Sequence, residues 1–164
     1  MDIKLFDKEK NERFKFRVNG ILLNNDKMLA VEMNKMGFMC CPGGHVMIGE
    51  DTMQAMEREY KEETGIGVKI EKLVAIVENF FKSDVLYHEL SFFYLLRADK
   101  IYESKQKDFS LIENDNGKLI NMDYRWLSLD KIASYDFLPL AIKNKLKNRD
   151  FNTEHIIFHG DKGE

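Results

Sequence analysis

Residues 14–23 (FKFRVNGILL) open with strict alternation. Phe14, Phe16 and Val18 fall on one side, and Lys15, Arg17 and Asn19 on the other. A period of two predicts a strand with one face on a core. Asn24-Asn25-Asp26 is a turn signal, and KMLAVEM, residues 27–33, predicts the returning strand. Residues 37–49 (GFMCCPGGHVMIG) are rich in glycine and hold Pro42, which predicts a short strand entering a loop. Residues 51–64 (DTMQAMEREYKEET) predict a helix, capped by Asp51 or Thr52 and stopped by Gly65. Residues 68–78 and 89–97 predict strands. The second of these is almost continuously apolar, as in a central strand buried on both faces. Residues 123–128 predict another short strand, followed by helices near 129–134 and at 139–149, with Pro139 in the first turn. The tail at 154–160 predicts an edge strand. Interleaved elements of this kind predict an α/β or α+β layered domain.

With 164 residues the chain fits one domain, residues 1–164, with a short charged N-terminal extension and a C-terminal tail. Its net charge of −3 gives no electrostatic case for a nucleic acid duplex as partner. A phosphorylated small molecule remains open, since a bound metal can supply local positive charge. No apolar run approaches the roughly 18 residues of a membrane span, and the charged N-terminus lacks a signal core. Cys40 and Cys41 are adjacent, which is neither a disulfide framework nor a zinc spacing, so they are expected to pack in a strand. A cytoplasmic location is the simplest expectation.

The helix at 51–64 carries the candidate chemistry. Glu59, Glu62 and Glu63, at i, i+3 and i+4, share one narrow stripe of its surface. Met53, Met56 and Tyr60 form a neighbouring stripe about 90–100° away. The helix can therefore press apolar residues onto a sheet while presenting three carboxylates together. Such a stripe is most often a solvated face. Gly43 and Gly44 upstream, with Glu50 at the helix entrance, shift the balance. A glycine loop lets backbone approach phosphate or offer carbonyls to a metal. Mg²⁺ prefers oxygen ligands and assists phosphate hydrolysis.

Residues 44–66, GHVMIGEDTMQAMEREYKEETGI, resemble the Nudix box, G-x5-E-x7-R-E-U-x-E-E-x-G-U, where U is a bulky aliphatic residue. Gly44, Glu50, Arg58, Glu59, Glu62, Glu63, Gly65 and Ile66 match in register. Tyr60, bulky but not aliphatic, is the one departure and is read as a core substitution. Seven fixed letters at ordinary usage arise by chance on the order of 10⁻⁶ over such a chain. Pro42-Gly43-Gly44 ahead of the box and residues 125–130 (RWLSLD) near the end also resemble Nudix framing.

The resemblance implies an αβα sandwich around a mixed sheet and a Mg²⁺-dependent pyrophosphohydrolase, with Mn²⁺ as a substitute ion. It implies metal ligation by Glu59, Glu62, Glu63 and the backbone carbonyl of Gly43 or Gly44. Arg58 resembles the arginine that orients the glutamates, through Glu50. Glu59 is the in-box candidate for the general base, with Glu89 and Glu113 as candidates outside it. The implied substrate is a small nucleotide carrying a diphosphate linked to another group. The alternative is a nucleotide-binding sensor without turnover, and a plain structural domain is the third reading.

His45 could reach phosphate or be solvated, and His88 reads as a half-buried strand residue. Phe38, Phe80, Phe81 and Tyr87 could stack a base but read first as core. ADP-ribose hydrolases of the family tend to carry a proline where this chain has Phe81. Dinucleoside polyphosphate hydrolases carry a tyrosine near Lys82–Asp84, and Tyr87 lies too far on. The coenzyme A type has an arginine ahead of the box that is missing here. These features favour a nucleoside triphosphate or an unassigned substrate. HIIF, residues 155–158, could pair two copies as a homodimer or close the chain's own sheet.

Overall fold

The computed structural model describes residues 1–115 and 117–160; residues 161–164 of the expected domain lie outside the described residues. The charged N-terminal stretch is more than an extension. It forms β1 (Lys4–Asp7), antiparallel to the start of β2 (Glu12–Asn24) with Lys4 opposite Lys15. The chain continues through β3 (Lys27–Met33), β4 (Gly43–His45), α1 (Thr52–Thr64), β5 (Val68–Lys82) and β6 (Leu86–Ala98). Next come β7 (Phe109–Asp115), β8 (Lys118–Ser128), a 3-10 helix (Leu129–Ser134), α2 (Leu140–Lys147) and β9 (Glu154–His159).

Among the described residues nine strands form one mixed sheet, ordered β7-β8-β3-β2-β6-β5-β9, with β1 and β4 both on β2. The pairs β2–β6 and β5–β9 are parallel and the others antiparallel. The apolar 89–97 run is central, between β2 and β5. The tail closes the chain's own sheet, with Ile156 beside Val77.

Alternate residues feed two cores. Leu29 and Val31 pack with Met56 and Tyr60 of α1. Met28 and Ala30 pack with Ile132, Ile142 and Leu146 on the other side. Helices on both faces of a mixed sheet make the αβα sandwich of the α+β class.

Several elements differ from their sequence expectation. β7, an element not expected from the sequence, ends at Asp115, which pairs with Lys118 of β8. As an edge strand β7 exposes both Leu111 and Ile112, so it shows no buried alternation. The 129–134 helix is 3-10, and α2 starts at Leu140 with Pro139 as its N-cap. Met53 has the right angular position but sits in the first turn of α1, ahead of the covered residues, and is half exposed. Met56 and Tyr60 are fully buried, each contributing about 1.5–3 kcal/mol.

No helix among the described residues is long and apolar enough to cross a membrane.

Candidate active site

Local chemistry fixes α1 at both ends. The Asp51 side chain accepts hydrogen bonds from the backbone N–H groups of Met53 and Gln54, and the Gln54 side chain accepts one from Asp51 N–H. Such a cap contributes about 1 kcal/mol. Gly65 ends the helix at φ 74°, a conformation that favours glycine.

Arg58 then joins helix to loop. Its Nε and Nη2 donate to Glu50 Oε2 and Oε1 at 3.0 and 2.5 Å. Its Nη1 donates to Glu59 Oε1 at 2.8 Å and Glu62 Oε2 at 3.2 Å. Nη2 also donates to the His45 carbonyl at 3.1 Å. Glu50 Oε1 accepts a further bond from Met47 N–H at 2.7 Å. The fork to Glu50 holds that carboxyl below its ordinary range and pushes the Arg58 guanidinium higher still. Arg58 and Glu50 thus meet, a contact that the resemblance implied.

The two glycines act differently. A Cβ on Gly43 would stand 2.0 Å from the Val18 carbonyl oxygen, so backbones meet there. A Cβ on Gly44 would stand 2.2 Å from the Glu59 carboxylate, which occupies that space.

Glu63 Oε2 is enclosed and has no hydrogen-bond partner. Burial, with Glu59 beside it, pushes the Glu63 carboxyl up to about 8. Burial raises Glu59 as well, against the pull of Arg58. Glu62 is exposed at the rim. Among the described residues no three His, Cys, Asp or Glu side chains converge as a ready metal cage. Glu59 and Glu62 are instead drawn to Arg58, the nearest cation they touch. Two crowded carboxyls short of positive charge, an orphaned acceptor and glycine backbone at contact distance nonetheless fit a hard divalent cation.

On the opposite sheet face lies a cavity of about 310 Å³, the size of a small-molecule pocket. Its floor is the polar side of the alternation that opened the sequence. Lys15, Arg17 and Asn19 line it and do not face open solvent. Lys15 lies 3.6 Å from Glu89 and 4.7 Å above the Tyr87 ring, which stacks on Phe81 at 4.7 Å. Phe38, Cys40, Phe158 and residues 138–140 at the start of α2 form walls. β3 leaves β2 after two paired positions, and β4 pairs with β2 instead at residues 17–19. Arg17 stands at this split. It lines the cavity, and its Nη2 donates to the Gly43 carbonyl at 3.1 Å. Its Nε is enclosed without a partner.

Of the other candidates, Glu89 lies in the cavity, while Glu113 sits exposed on β7 and close enough to Glu63 to raise it. His45 is half-buried near Asp2, with burial taking its imidazole down to about 4. His88 stacks on Phe80 at 4.2 Å, and neither residue lines the cavity. Phe81 and Tyr87 do line it. Lys15, Arg17 and Asn79 are cavity residues that sequence reasoning passed over. The strand alternation was their only signal, and it reads equally well as a solvent face.

The sequence matches the family profile described as NUDIX domain over residues 13–149. The chain belongs to the Nudix family. An ADP-ribose pyrophosphatase of Methanocaldococcus jannaschii is 30% identical over 123 residues, 66% of this chain and 72% of that protein. A mutator MutT protein from Bacillus halodurans shares the fold with a TM-score of 0.62 at 19% identity, over 88% of this chain and 89% of its own. An ADP-ribose pyrophosphatase from Streptococcus suis aligns with a TM-score of 0.55 at 20% identity, over 88% of this chain and 98% of its own. This Nudix hydrolase therefore keeps the family frame with Tyr60 at an aliphatic position of the box. Tyr60 is fully buried in the α1 core, as read from the sequence.

Proposed function

We propose that this Nudix hydrolase cleaves a phosphoanhydride bond in a small nucleotide whose diphosphate is linked to another group, with Mg²⁺, or Mn²⁺ in its place. One observation carries this reading: Arg17 lines a nucleoside-sized cavity, donates to the Gly43 carbonyl beside the box, and lowers Glu59 and Glu63 by its charge. A nucleoside in the cavity would lay its phosphates across Arg17 toward Glu59, Glu62 and Glu63. Those three carboxylates, with the carbonyl of Gly43 or Gly44, would hold the ion. Bound there, the ion supplies positive charge against the phosphate chain and acidifies water.

The chain's own residues do the remaining work. Arg58 fixes Glu59 and Glu62 through one guanidinium and takes its own orientation from Glu50. Glu59 is the base within the box. It touches Arg58, and burial raises its carboxyl against the pull of that guanidinium. The apolar walls exclude water from the nucleoside end.

The name of the Methanocaldococcus relative is a reason to test ADP-ribose, whereas Phe81 in place of the proline of that subfamily favours a nucleoside triphosphate or an unassigned substrate. The test is a Mg²⁺ and Mn²⁺ hydrolysis screen over nucleoside triphosphates, nucleotide sugars, ADP-ribose, dinucleotides and coenzyme A. Turnover of one class, abolished by Glu63→Gln, is expected. Nucleotide binding without turnover would make the protein a sensor. Full activity in Glu63→Gln would overturn the ligand assignment.

A further inference from the structure

The cavity floor is built in rungs across the sheet. The strand register sets Lys15 beside Glu89 and Glu89 beside Asn79, with Phe158 completing the row on β9. The next rung toward the glutamates sets Arg17 beside Ser91. The rung on the other side sets Arg13 beside Tyr87 and Tyr87 beside Phe81. Rungs two residues apart are separated by about 6.5 Å.

The Lys15–Glu89–Asn79 rung is a polar ladder on the floor of a hollow that also holds apolar walls. The Lys15 and Glu89 side chains are only 20% and 14% exposed. Their 3.6 Å separation is an ion contact longer than a hydrogen bond, so the carboxylate keeps its acceptor capacity. The neighbouring Asn79 Oδ1 has no hydrogen-bond partner. Burying acceptors in this state is costly unless a ligand supplies donors.

The cavity is thus polarised along its length. Arg17, beside the glutamates, suits an anion. Glu89 repels phosphate and offers two coplanar acceptor oxygens. The flat Tyr87–Phe81 pair beside it, stacked within 3° of parallel, suits a planar ring.

We propose that Glu89, held by Lys15 and flanked by Asn79, determines specificity by accepting two adjacent N–H donors from the edge of a guanine-type nucleobase. In this role Glu89 binds substrate and is not the general base. The inference rests on the proposed nucleotide substrate. Two parallel N–H groups match a carboxylate as a fork matches a fork. An edge with one amine beside a ring acceptor matches it less well, and a sugar phosphate without a base does not match it.

The test begins with calorimetry of the full chain without divalent ions, using guanosine, inosine and adenosine 5′-monophosphates and ribose 5-phosphate as probes. Guanosine monophosphate is expected to bind at least about 10-fold more tightly than adenosine monophosphate or ribose 5-phosphate, with inosine monophosphate between. Glu89→Gln should lower guanosine monophosphate affinity at least about 10-fold. With a hydrolysed guanine substrate it should raise KM by a similar factor, leaving kcat within about 3-fold and its pH profile in place. Should Glu89→Gln prove unstable because Lys15 loses its partner, Lys15→Met with Glu89→Gln removes both charges and carries the same expectation. Equal binding of all four probes overturns the proposal. So does a 100-fold loss of kcat at unchanged KM. Failure of the hydrolysis screen would sink the catalytic reading alone, because the binding order is measured without turnover.

Discussion

Alanine at Gly44 perturbs one carboxylate and little else. The new Cβ would stand 2.2 Å from Glu59 Oε2 and 2.6 Å from Oε1. Contacts below 3.0 Å are essentially never seen, so the carboxylate must retreat by about 1 Å. It sits at the end of a flexible side chain and can do so cheaply. The retreat breaks its 2.8 Å bond to Arg58, worth about 1 kcal/mol, or about 2–4 °C of Tm in a chain of this size. The reaction is more sensitive, because a misplacement of about 1 Å can cost 10²-fold. Gly44→Ala is therefore expected to lose about 100-fold in kcat while its calorimetric Tm falls by only a few degrees. Gly43→Ala is the contrasting neighbour. Its Cβ would stand 2.0 Å from the Val18 carbonyl oxygen and 2.7 Å from Asn19 Cα, both backbone. Relief there requires β4 to part from β2, at about 3 kcal/mol or more. Differential scanning calorimetry and steady-state hydrolysis of the panel substrate would be run on both. Gly44→Ala turning over within 3-fold of wild type would refute the claim that hydrolysis depends on where the Glu59 carboxylate sits.

Three further outcomes are expected. The Glu63 carboxyl titrates near 8 in the fold and near 4.5 when unfolded. Between those values the unfolded chain binds fewer protons, so metal-free stability falls as pH rises from about 5 to 8. Glu63→Gln should flatten that slope of Tm against pH, and Mg²⁺ binding at pH 7 should release protons, read by calorimetry in buffers of differing ionisation enthalpy. Burial pushes the Cys40 thiol up to about 11 and Cys41 well above its ordinary value. Neither should react with a maleimide at pH 7.5 until the chain is unfolded; rapid native labelling would contradict this. Lys145, 7% exposed, bridges Asp150 and Glu154 at 3.1 Å each. Asp150→Asn with Glu154→Gln strands that ammonium and should lower stability in chemical denaturation by more than Lys145→Met does.

The sequence declares the glutamate helix because its chemistry is local. Asp51, Arg58, the three glutamates and Gly65 lie within fifteen residues, and helical spacing alone decides which of them share a face. Tyr60 was legible as core for the same reason. The cavity is written non-locally. Lys15, Glu89, Asn79 and Phe158 come together only through the registers of four strands, and no periodicity along the chain encodes those registers. β1 and β7 were hidden differently. Strands at the margins bury little, so β1 is exposed along its whole length and β7 exposes Leu111 and Ile112. The polar side of β2 was silent for a related reason, because a ligand cavity and bulk water select similar residues.

The parallel pairing of β2 with β6 joins residues 12–22 to residues 86–96, and that of β5 with β9 joins residues 75–80 to residues 154–159. Both pairings must close long loops before they are rewarded, so folding of this chain is governed by high contact order and is slow for its size. The order of synthesis matters too. Every residue of the glutamate helix and of its sheet partners β2, β4 and β5 has been made before β9 exists. The ribosome thus delivers the parts of the charged centre first and the last wall of the nucleoside cleft at the very end. A chain released before residue 154 would lack Phe158 and Gly160, the part of the cleft wall that the β9 segment supplies.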